Sequence, residues 1–309
     1  MLHIENETGK VRPFLRWAGG KTYQLRQIRT KYPTGLGITV RKYAEPFLGG
    51  GAVLFDILCR YPMDEVYISD INRELIHTYL TIRDDVEILI EMLETIEEEY
   101  LTASPETRKA LYSEKRRHYN LLKKASDRDT ELAALFIFLN STCFSGLYRV
   151  NSSGEFNTSF GNRPKPIICD PQNLRTASQM LQGVTIISGD YRLSASFIDS
   201  STLCYFDPPY RPLPGKECFT AYDASRFGDS EQTELARYIN EMSKRGAYII
   251  ASNSDPRNTD ENDDFFDSLY QGFTISRVDS LSTISRKGIS RRRLSELLIC
   301  NTPKGGDAA

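Results

Sequence analysis

The sequence predicts an α/β fold in which a mostly parallel sheet is covered by helices on both faces. Three observations predict it: short apolar runs of strand length, helical stretches between those runs, and a glycine turn or an acid where a run ends. At 309 residues, with 40% hydrophobic side chains, the chain can bury a sizeable core without disulfide or metal staples. Its formal charge of −2 excludes a polybasic protein that binds its partners by bulk charge, but not one with local basic faces.

The elements follow in order. Gly20 to Tyr32 reads as a helical stretch. Ala44-Glu-Pro-Phe-Leu-Gly-Gly-Gly-Ala52 reads as a three-glycine turn entering a helix over Ala52 to Arg60. Glu65-Val-Tyr-Ile-Ser-Asp70 is a strand closed by an acid. Residues 84 to 106 hold nine acids and no Lys or Arg, whereas 108 to 124 hold seven bases and one acid, which predicts two helices of opposite charge. Val86, Leu89, Ile90, Leu93 and Ile96 supply the buried stripe of the first. The bland alternative for both charge runs is a solvated helix face. Thr202 to Phe206 is a buried strand, Ser230 to Arg245 a helix, and Ala247 to Ala251 and Leu297 to Cys300 are further strands.

Met1 to Lys10 lacks a basic segment followed by an apolar one, and no run approaches the roughly eighteen apolar residues of a membrane span. The expectation is a cytoplasmic protein with no membrane partner. Cys59, Cys143, Cys169, Cys204, Cys218 and Cys300 form no C-x-x-C pair and are expected to be reduced packing residues; no metal site is predicted.

In open α/β sheets ligands bind beyond the carboxyl ends of the strands, so chemistry is sought there. The glycine turn lacks the dinucleotide spacing, which requires glycine at Leu54. Phe14-Leu-Arg-Trp-Ala-Gly-Gly-Lys21 lacks the phosphate-loop spacing, which requires glycine at Leu15. Asp70, one strand beyond a glycine turn, can accept hydrogen bonds from both ribose hydroxyls of an adenosyl ligand; the alternative is a helix cap. Asp207-Pro-Pro-Tyr210 carries the most specific signal. Two prolines stiffen the loop and remove two donors, leaving an acid and carbonyls beside an aromatic face. That set suits a planar base bearing an amine, with Asp207 and the Pro208 carbonyl as acceptors and Tyr210 stacking on the ring.

Taken in order, Phe14-Leu-Arg-Trp-Ala-Gly-Gly-Lys21, Glu45-Pro-Phe-Leu-Gly-Gly-Gly51, Ser69-Asp-Ile-Asn72 and Asp207-Pro-Pro-Tyr210 resemble the motif series of the Dam-type (D12 class, α-group) DNA adenine N6-methyltransferases. Leu139-Asn-Ser-Thr-Cys-Phe-Ser-Gly-Leu-Tyr-Arg-Val-Asn151, with Gly154-Glu-Phe-Asn157 and Phe160-Gly161, resembles that family's DNA-recognition region. Asp190-Tyr191, Phe219-Thr-Ala-Tyr222 and Leu294 to Cys300 extend the likeness over about residues 12 to 301.

The resemblance implies a Rossmann-like methyltransferase fold that takes S-adenosyl-L-methionine and acts on double-stranded DNA. A mostly helical recognition insert over 73–169 would interrupt a catalytic domain formed by 1–72 and 170–309. It implies that Trp17, Ala18, Gly19, Lys21, Glu45, Pro46, Phe47, Gly49, Gly51, Asp70, Asp190, Tyr191 and Asp207 surround the cofactor, and that Asp207, Pro208, Pro209 and Tyr210 carry catalysis. Arg16, Phe144, Ser145, Leu147, Arg149, Arg291 and Arg292 would contact DNA, Phe144 by insertion and Arg149 by reading guanine. The alternative for Phe144 is core packing. Phosphate contacts are expected from the basic clusters 1 to 31, 108 to 124 and 277 to 293.

GATC, the family's commonest target, is the expected motif, although Arg16, Ser141 and Ser145 depart from residues frequent in GATC enzymes. Family precedent points to a monomer, and a cognate restriction endonuclease is an optional partner. The rival readings are an amino methylase acting on cytosine N4, on adenine in RNA or on a glutamine side chain, and a DNA-binding regulator that has lost catalysis. Relatives with those other targets more often carry Ser or Asn at the position of Asp207. A metabolic nucleotide-binding enzyme is disfavoured by the missing glycine spacings.

Overall fold

The computed structural model describes residues 11–125, 129–212, 227–280 and 294–301. Among the described residues seven strands form one sheet: β1 (Lys42–Glu45), β2 (Glu65–Asp70), β3 (Thr185–Ser188), β4 (Thr202–Phe206), β5 (Tyr248–Ser254), β6 (Thr274–Ser280) and β7 (Leu294–Cys300). Their order is β3-β2-β1-β4-β5-β7-β6. The first five run parallel, and β7 lies antiparallel to both β5 and β6. The direction of winding therefore reverses between β1 and β4, whose carboxyl ends open the crevice where such sheets bind ligands.

Side-chain alternation divides the sheet into two faces. Tyr43, Val66, Ile68, Leu203, Tyr205, Ile250 and Leu298 enter one buried cluster. Ala44, Tyr67, Cys204, Phe206, Ile249, Ala251, Leu297 and Ile299 enter the other. The second face is covered by α8 (Asp229–Lys244) through Leu235, Ile239 and Met242. The first is covered by α2 (Ala52–Arg60), α3 (Arg73–Asp84) and α7 (Pro171–Leu181). Among the described residues Cys143, Cys169, Cys204 and Cys300 are buried and free, and Cys59 is free and exposed.

Three more helices follow α3: α4 (Val86–Thr102), α5 (Pro105–Ala125) and α6 (Thr130–Thr142). They are the expected acidic helix, basic helix and an apolar partner. From Leu132 to Thr142 every residue of α6 is buried, the pattern of a helix surrounded by others. The α4 stripe meets it through Leu89, Ile90, Leu93 and Ile96.

One expected helix is shorter than its sequence suggests. Only Leu25–Arg29 (α1) is helical within Gly20 to Tyr32. Gly19 is in the left-handed region at φ 77°, and Lys21 turns its ammonium back onto the Gly19 carbonyl at 2.6 Å, so 19–24 forms turns. The small α9 (Phe265–Leu269) precedes β6.

Candidate active site

Asp207 stands at the carboxyl end of β4, beside the crevice. Lys21 reaches it from the turn before α1: Nζ lies 2.7 Å from Asp207 Oδ2 and 4.8 Å from the centre of the Tyr210 ring. The Lys21 side chain is 4% exposed and that of Asp207 19%. The other carboxylate oxygen, Oδ1, is buried and has no hydrogen-bond partner among the described residues. A buried acceptor without a donor is costly. Burial pushes the Asp207 carboxyl above its ordinary pKa, and the neighbouring Lys21 ammonium opposes that shift. An amine entering the crevice would supply the missing donor.

Tyr210 is fixed from the far side, its hydroxyl donating to Glu296 Oε2 on β7 at 2.6 Å. Glu45, at the end of β1, is 2% exposed and accepts a hydrogen bond from the Tyr43 hydroxyl at 2.7 Å. Burial raises its pKa to about 8, with the Asp207 charge adding to the rise and the Tyr43 hydrogen bond and Lys21 opposing it. At neutral pH Glu45 is therefore largely protonated, and a second negative charge beside Asp207 is avoided.

The glycine turn is tied to Asp70. Gly49 N–H donates to Asp70 Oδ2 at 3.1 Å, and Asn72 N–H donates to Oδ1 at 2.9 Å. The cap of α3 is Asn72, whose side chain accepts from Leu75 N–H at 2.9 Å. Asp70 therefore anchors the turn through both of its carboxylate oxygens. Two glycines are required here by space. A Cβ on Gly49 would lie 2.8 Å from Trp17 Cδ1, and one on Gly51, at φ 67°, 2.5 Å from the Tyr79 hydroxyl.

Pro46 is buried under this turn, and Phe47 stacks on Tyr191 with ring centres 5.4 Å apart. Asp190 caps the helical turn Tyr191–Ser196 through Arg192 N–H at 2.9 Å. Phe47, Asp70, Asp190 and Tyr191 thus stand at the ends of the neighbouring strands β1, β2 and β3, in the arrangement expected of a pocket for a flat adenosyl group. Trp17 packs under the glycine turn and stacks on Tyr148 at 5.8 Å, while Ala18 and Gly19 are exposed beside it.

The segment after α6 forms an irregular hairpin, bridged at Cys143 to Phe160 and at Val150 to Phe156. Asn140 joins it to the turn carrying Trp17: its Oδ1 accepts from Arg16 N–H at 2.8 Å, and its Nδ2 donates to the carbonyls of Arg16 and Gly146. Phe144 is 57% exposed, so core packing does not account for it. Ser145 sits in the left-handed region at φ 58°. Leu147 is half-buried, and its carbonyl accepts from the Thr158 hydroxyl. Arg149 is exposed and held by Asn157 Oδ1 at 2.8 Å. Arg16 is likewise exposed.

Four bases of the basic helix α5 are used inside the fold: Arg108 on the Tyr100 carbonyl, Lys115 on Glu99, Arg116 on the Thr158 carbonyl and Lys123 on Glu74. Lys109, Arg117 and Lys124 remain exposed. The expected phosphate cluster over 108 to 124 is thus narrower than its composition suggests. Arg291, Arg292 and Phe219 to Tyr222 lie outside the described residues.

Glu296, Gln232 and Asn253 also touch the Asp207–Arg211 loop, and sequence reasoning missed all three. Glu296 was visible as an acid inside an apolar strand, and Asn253 as a polar residue at the carboxyl end of a parallel one. Gln232 carried no local signal.

A family model for the D12 class N6 adenine-specific DNA methyltransferases matches residues 17–284. Among individual relatives, the type II methyltransferase M.MjaIII of Methanocaldococcus jannaschii is 43% identical over 294 residues, covering 94% of this chain and 99% of its own. The type II methyltransferase M1.LlaDCHI of Lactococcus lactis subsp. cremoris is 31% identical, covering 94% and 95%. The DNA adenine methylase of Vibrio cholerae is 30% identical, covering 95% and 97%. Acid, lysine and tyrosine at the end of β4, a glycine turn anchored on Asp70 and a match of this extent lead to one conclusion: the chain belongs to the D12 class of N6 adenine-specific DNA methyltransferases.

Proposed function

We propose that the protein takes a methyl group from S-adenosyl-L-methionine and places it on N6 of an adenine flipped out of double-stranded DNA. The observation that carries the chemistry is Asp207 Oδ1, buried and without a hydrogen-bond partner among the described residues, while Lys21 on Oδ2 also lies over the Tyr210 ring. The residues fit the cofactor. Gly49 and Gly51 have no room for a Cβ against Trp17 and Tyr79, which keeps the turn tight, and Phe47, Asp70, Asp190 and Tyr191 would hold the adenosyl part. When bound, S-adenosyl-L-methionine supplies an electrophilic sulfonium methyl.

The protein's task is orientation. The adenine amine is a weak nucleophile because its lone pair is delocalised into the ring. Asp207 and the Pro208 carbonyl accept its two hydrogens, which favours a pyramidal nitrogen, Tyr210 holds the ring in plane, and one of the two protons leaves N6 during or after the transfer, with the thioether as leaving group. Burial raises the Asp207 pKa and the Lys21 ammonium on Oδ2 opposes that rise, which leaves Oδ1 to accept from the amine. Base flipping costs a few kcal/mol, and exposed Phe144 braces the gap in the duplex. Arg149 and Arg16 read bases, with Ser145 and Leu147 shaping the same segment. Arg291 and Arg292 are assigned to phosphates.

In domain terms, 1–72 and 170–309 carry catalysis and 73–169 carries recognition, the two sharing one continuous core. The enzyme acts as a cytoplasmic monomer, alone or beside a cognate endonuclease, and GATC is its motif. Among the described residues no helix is long and apolar enough to cross a membrane.

Tritiated methyl transfer to unmethylated DNA tests the activity, and sequencing that detects N6-methyladenine in DNA from expressing cells tests the motif. Absence of transfer from the purified full chain would overturn the activity. A methylation pattern lacking GATC would overturn the motif alone.

A further inference from the structure

The catalytic loop alternates in what it offers. Asp207 and Tyr210 border the crevice, whereas positions 209 and 211 are held from behind. Gln232 Nε2 donates to the Pro209 carbonyl at 2.9 Å, and Asn253 Nδ2 donates to Gln232 Oε1 at 3.0 Å. Asn253 Oδ1 in turn accepts the N–H groups of Arg211, at 3.1 Å, and Ser254, at 2.9 Å. The Ser254 hydroxyl donates to the Arg211 carbonyl at 3.0 Å. Gln232 is 0% and Asn253 3% exposed.

The direction of this relay is forced. A backbone N–H only donates, so the side of Asn253 facing Arg211 and Ser254 must be its oxygen. Its amino group therefore faces Gln232, which must answer with Oε1, leaving the Gln232 amino group for the Pro209 carbonyl. The handle at position 209 also follows from sequence. Pro208 and Pro209 have no N–H, so the loop cannot be tied through those amides, and a carbonyl is what remains.

We infer that Gln232 and Asn253 are positioning residues of the methyl-transfer step. By fixing the plane of the peptide between Pro209 and Tyr210, they set the aim of Tyr210 and, through the stiff Pro-Pro pair, of Asp207 and the Pro208 carbonyl. Neither touches the base. The inference rests on the methylation reading of this site.

Gln232→Glu tests it in the full chain. The introduced carboxylate keeps the shape and still accepts from Asn253, but it faces the Pro209 carbonyl with an oxygen. At pH 8 the variant should lose about 10- to 100-fold in single-turnover transfer, the scale of a small misplacement of reacting groups. KM for DNA and for S-adenosyl-L-methionine should stay within about twofold of wild type, since this misplacement acts on the reacting geometry. The ratio of variant to wild-type rate should rise as pH falls, because the protonated carboxyl can again donate to Pro209. Wild type shares the surrounding charges, namely Arg211 with Asp229 and Asp263, and Asp207 with Lys21, so the ratio removes their titration.

A ratio near one at every pH, or a loss unchanged by pH, would overturn the inference. Should Gln232→Glu fail to fold by circular dichroism, Asn253→Asp must show the same pH-dependent ratio, since it keeps the acceptor and loses the donor. Failure of both to fold would also overturn the claim, which is about the loop and not the fold. An inactive wild type would overturn the methylation reading, and this inference with it.

Discussion

The catalytic pocket and the hairpin after α6 meet at Arg16 and Trp17, yet they are built in opposite ways. In the pocket the side chains are buried or half-buried and engaged with one another: Lys21 with Asp207 and Tyr210, Tyr210 with Glu296, Glu45 with Tyr43. One oxygen of Asp207 is left over. In the hairpin the backbone is held, through Asn140, Thr158 and two isolated bridges, while Phe144 and Arg149 are exposed. A small reacting group meets a pocket complete but for one acceptor. The hairpin is a fixed backbone that presents Phe144 and Arg149 outward.

Substitutions should separate the two regions. The largest effect is expected from Asp207→Ala. Removing one well-aimed hydrogen-bonding group from a reacting centre costs about 10²- to 10³-fold in kcat. Single-turnover transfer should fall by at least that much while circular dichroism is unchanged, and near wild-type turnover would sink the assignment of Asp207. Next come the hairpin residues. Arg149→Ala should relax discrimination at one guanine by about 1 to 3 kcal/mol, with turnover on the preferred site nearly intact. Phe144→Ala should weaken the 2-aminopurine fluorescence rise that reports base flipping. If either change acted on cofactor affinity instead, the contrast between the regions would fail.

A smaller effect is expected at Glu45, and its sign follows from burial. Its carboxyl is raised from the ordinary 4.5 to about 8 in the fold. The stability it contributes is fully present below the unfolded-state value and is lost as pH rises from about 4.5 to about 8. Glu45→Gln cannot titrate, so the melting temperature of wild type should fall relative to the variant across that interval and run level above it. A constant gap would show that Glu45 is ionised throughout. The smallest effect belongs to Ser145 at φ 58°. Asn tolerates that conformation better than Ser, so Ser145→Asn should stabilise by at most about 1 kcal/mol in urea unfolding. A destabilised variant would point to a contact made by the hydroxyl.

Legibility followed periodicity. Ala52–Arg60, Glu65–Asp70, Thr202–Phe206 and the acidic and basic helices were readable because an apolar run, a stripe or a block of one charge extends over most of each element. The strands Lys42–Glu45 and Thr185–Ser188 are short and carry polar ends, and Thr274–Ser280 lies at an edge with Arg277 and Asp279 in it. Such strands owe their existence to partners rather than to their own pattern. The helical stretch from Gly20 ended up mostly as turns because Gly19 and Lys21 serve the pocket. In the site, Asp207 and the glycine turn were legible as strand-end motifs, whereas Gln232 and Asn253 act through contacts that no local pattern records.

By itself, then, the chain determined the alternation of strands and helices, the rigidity of the Asp207–Tyr210 loop and the glycine turn, since each follows from residues adjacent in sequence. It also determined that no bulk positive charge would hold a polyanion. Only the tertiary structure decided which groups meet. Tyr210 and Glu296 are 86 positions apart and Arg16 and Asn140 are 124 apart, and both pairs form hydrogen bonds within 2.8 Å. It decided, too, that burial raises the Glu45 pKa and that four bases of α5 are engaged by other groups of the fold. The physical reason is common to these cases. Propensity and periodicity act over one or two turns of chain, whereas burial, desolvation and the pairing of distant polar groups exist only once the sheet has brought its strand ends together.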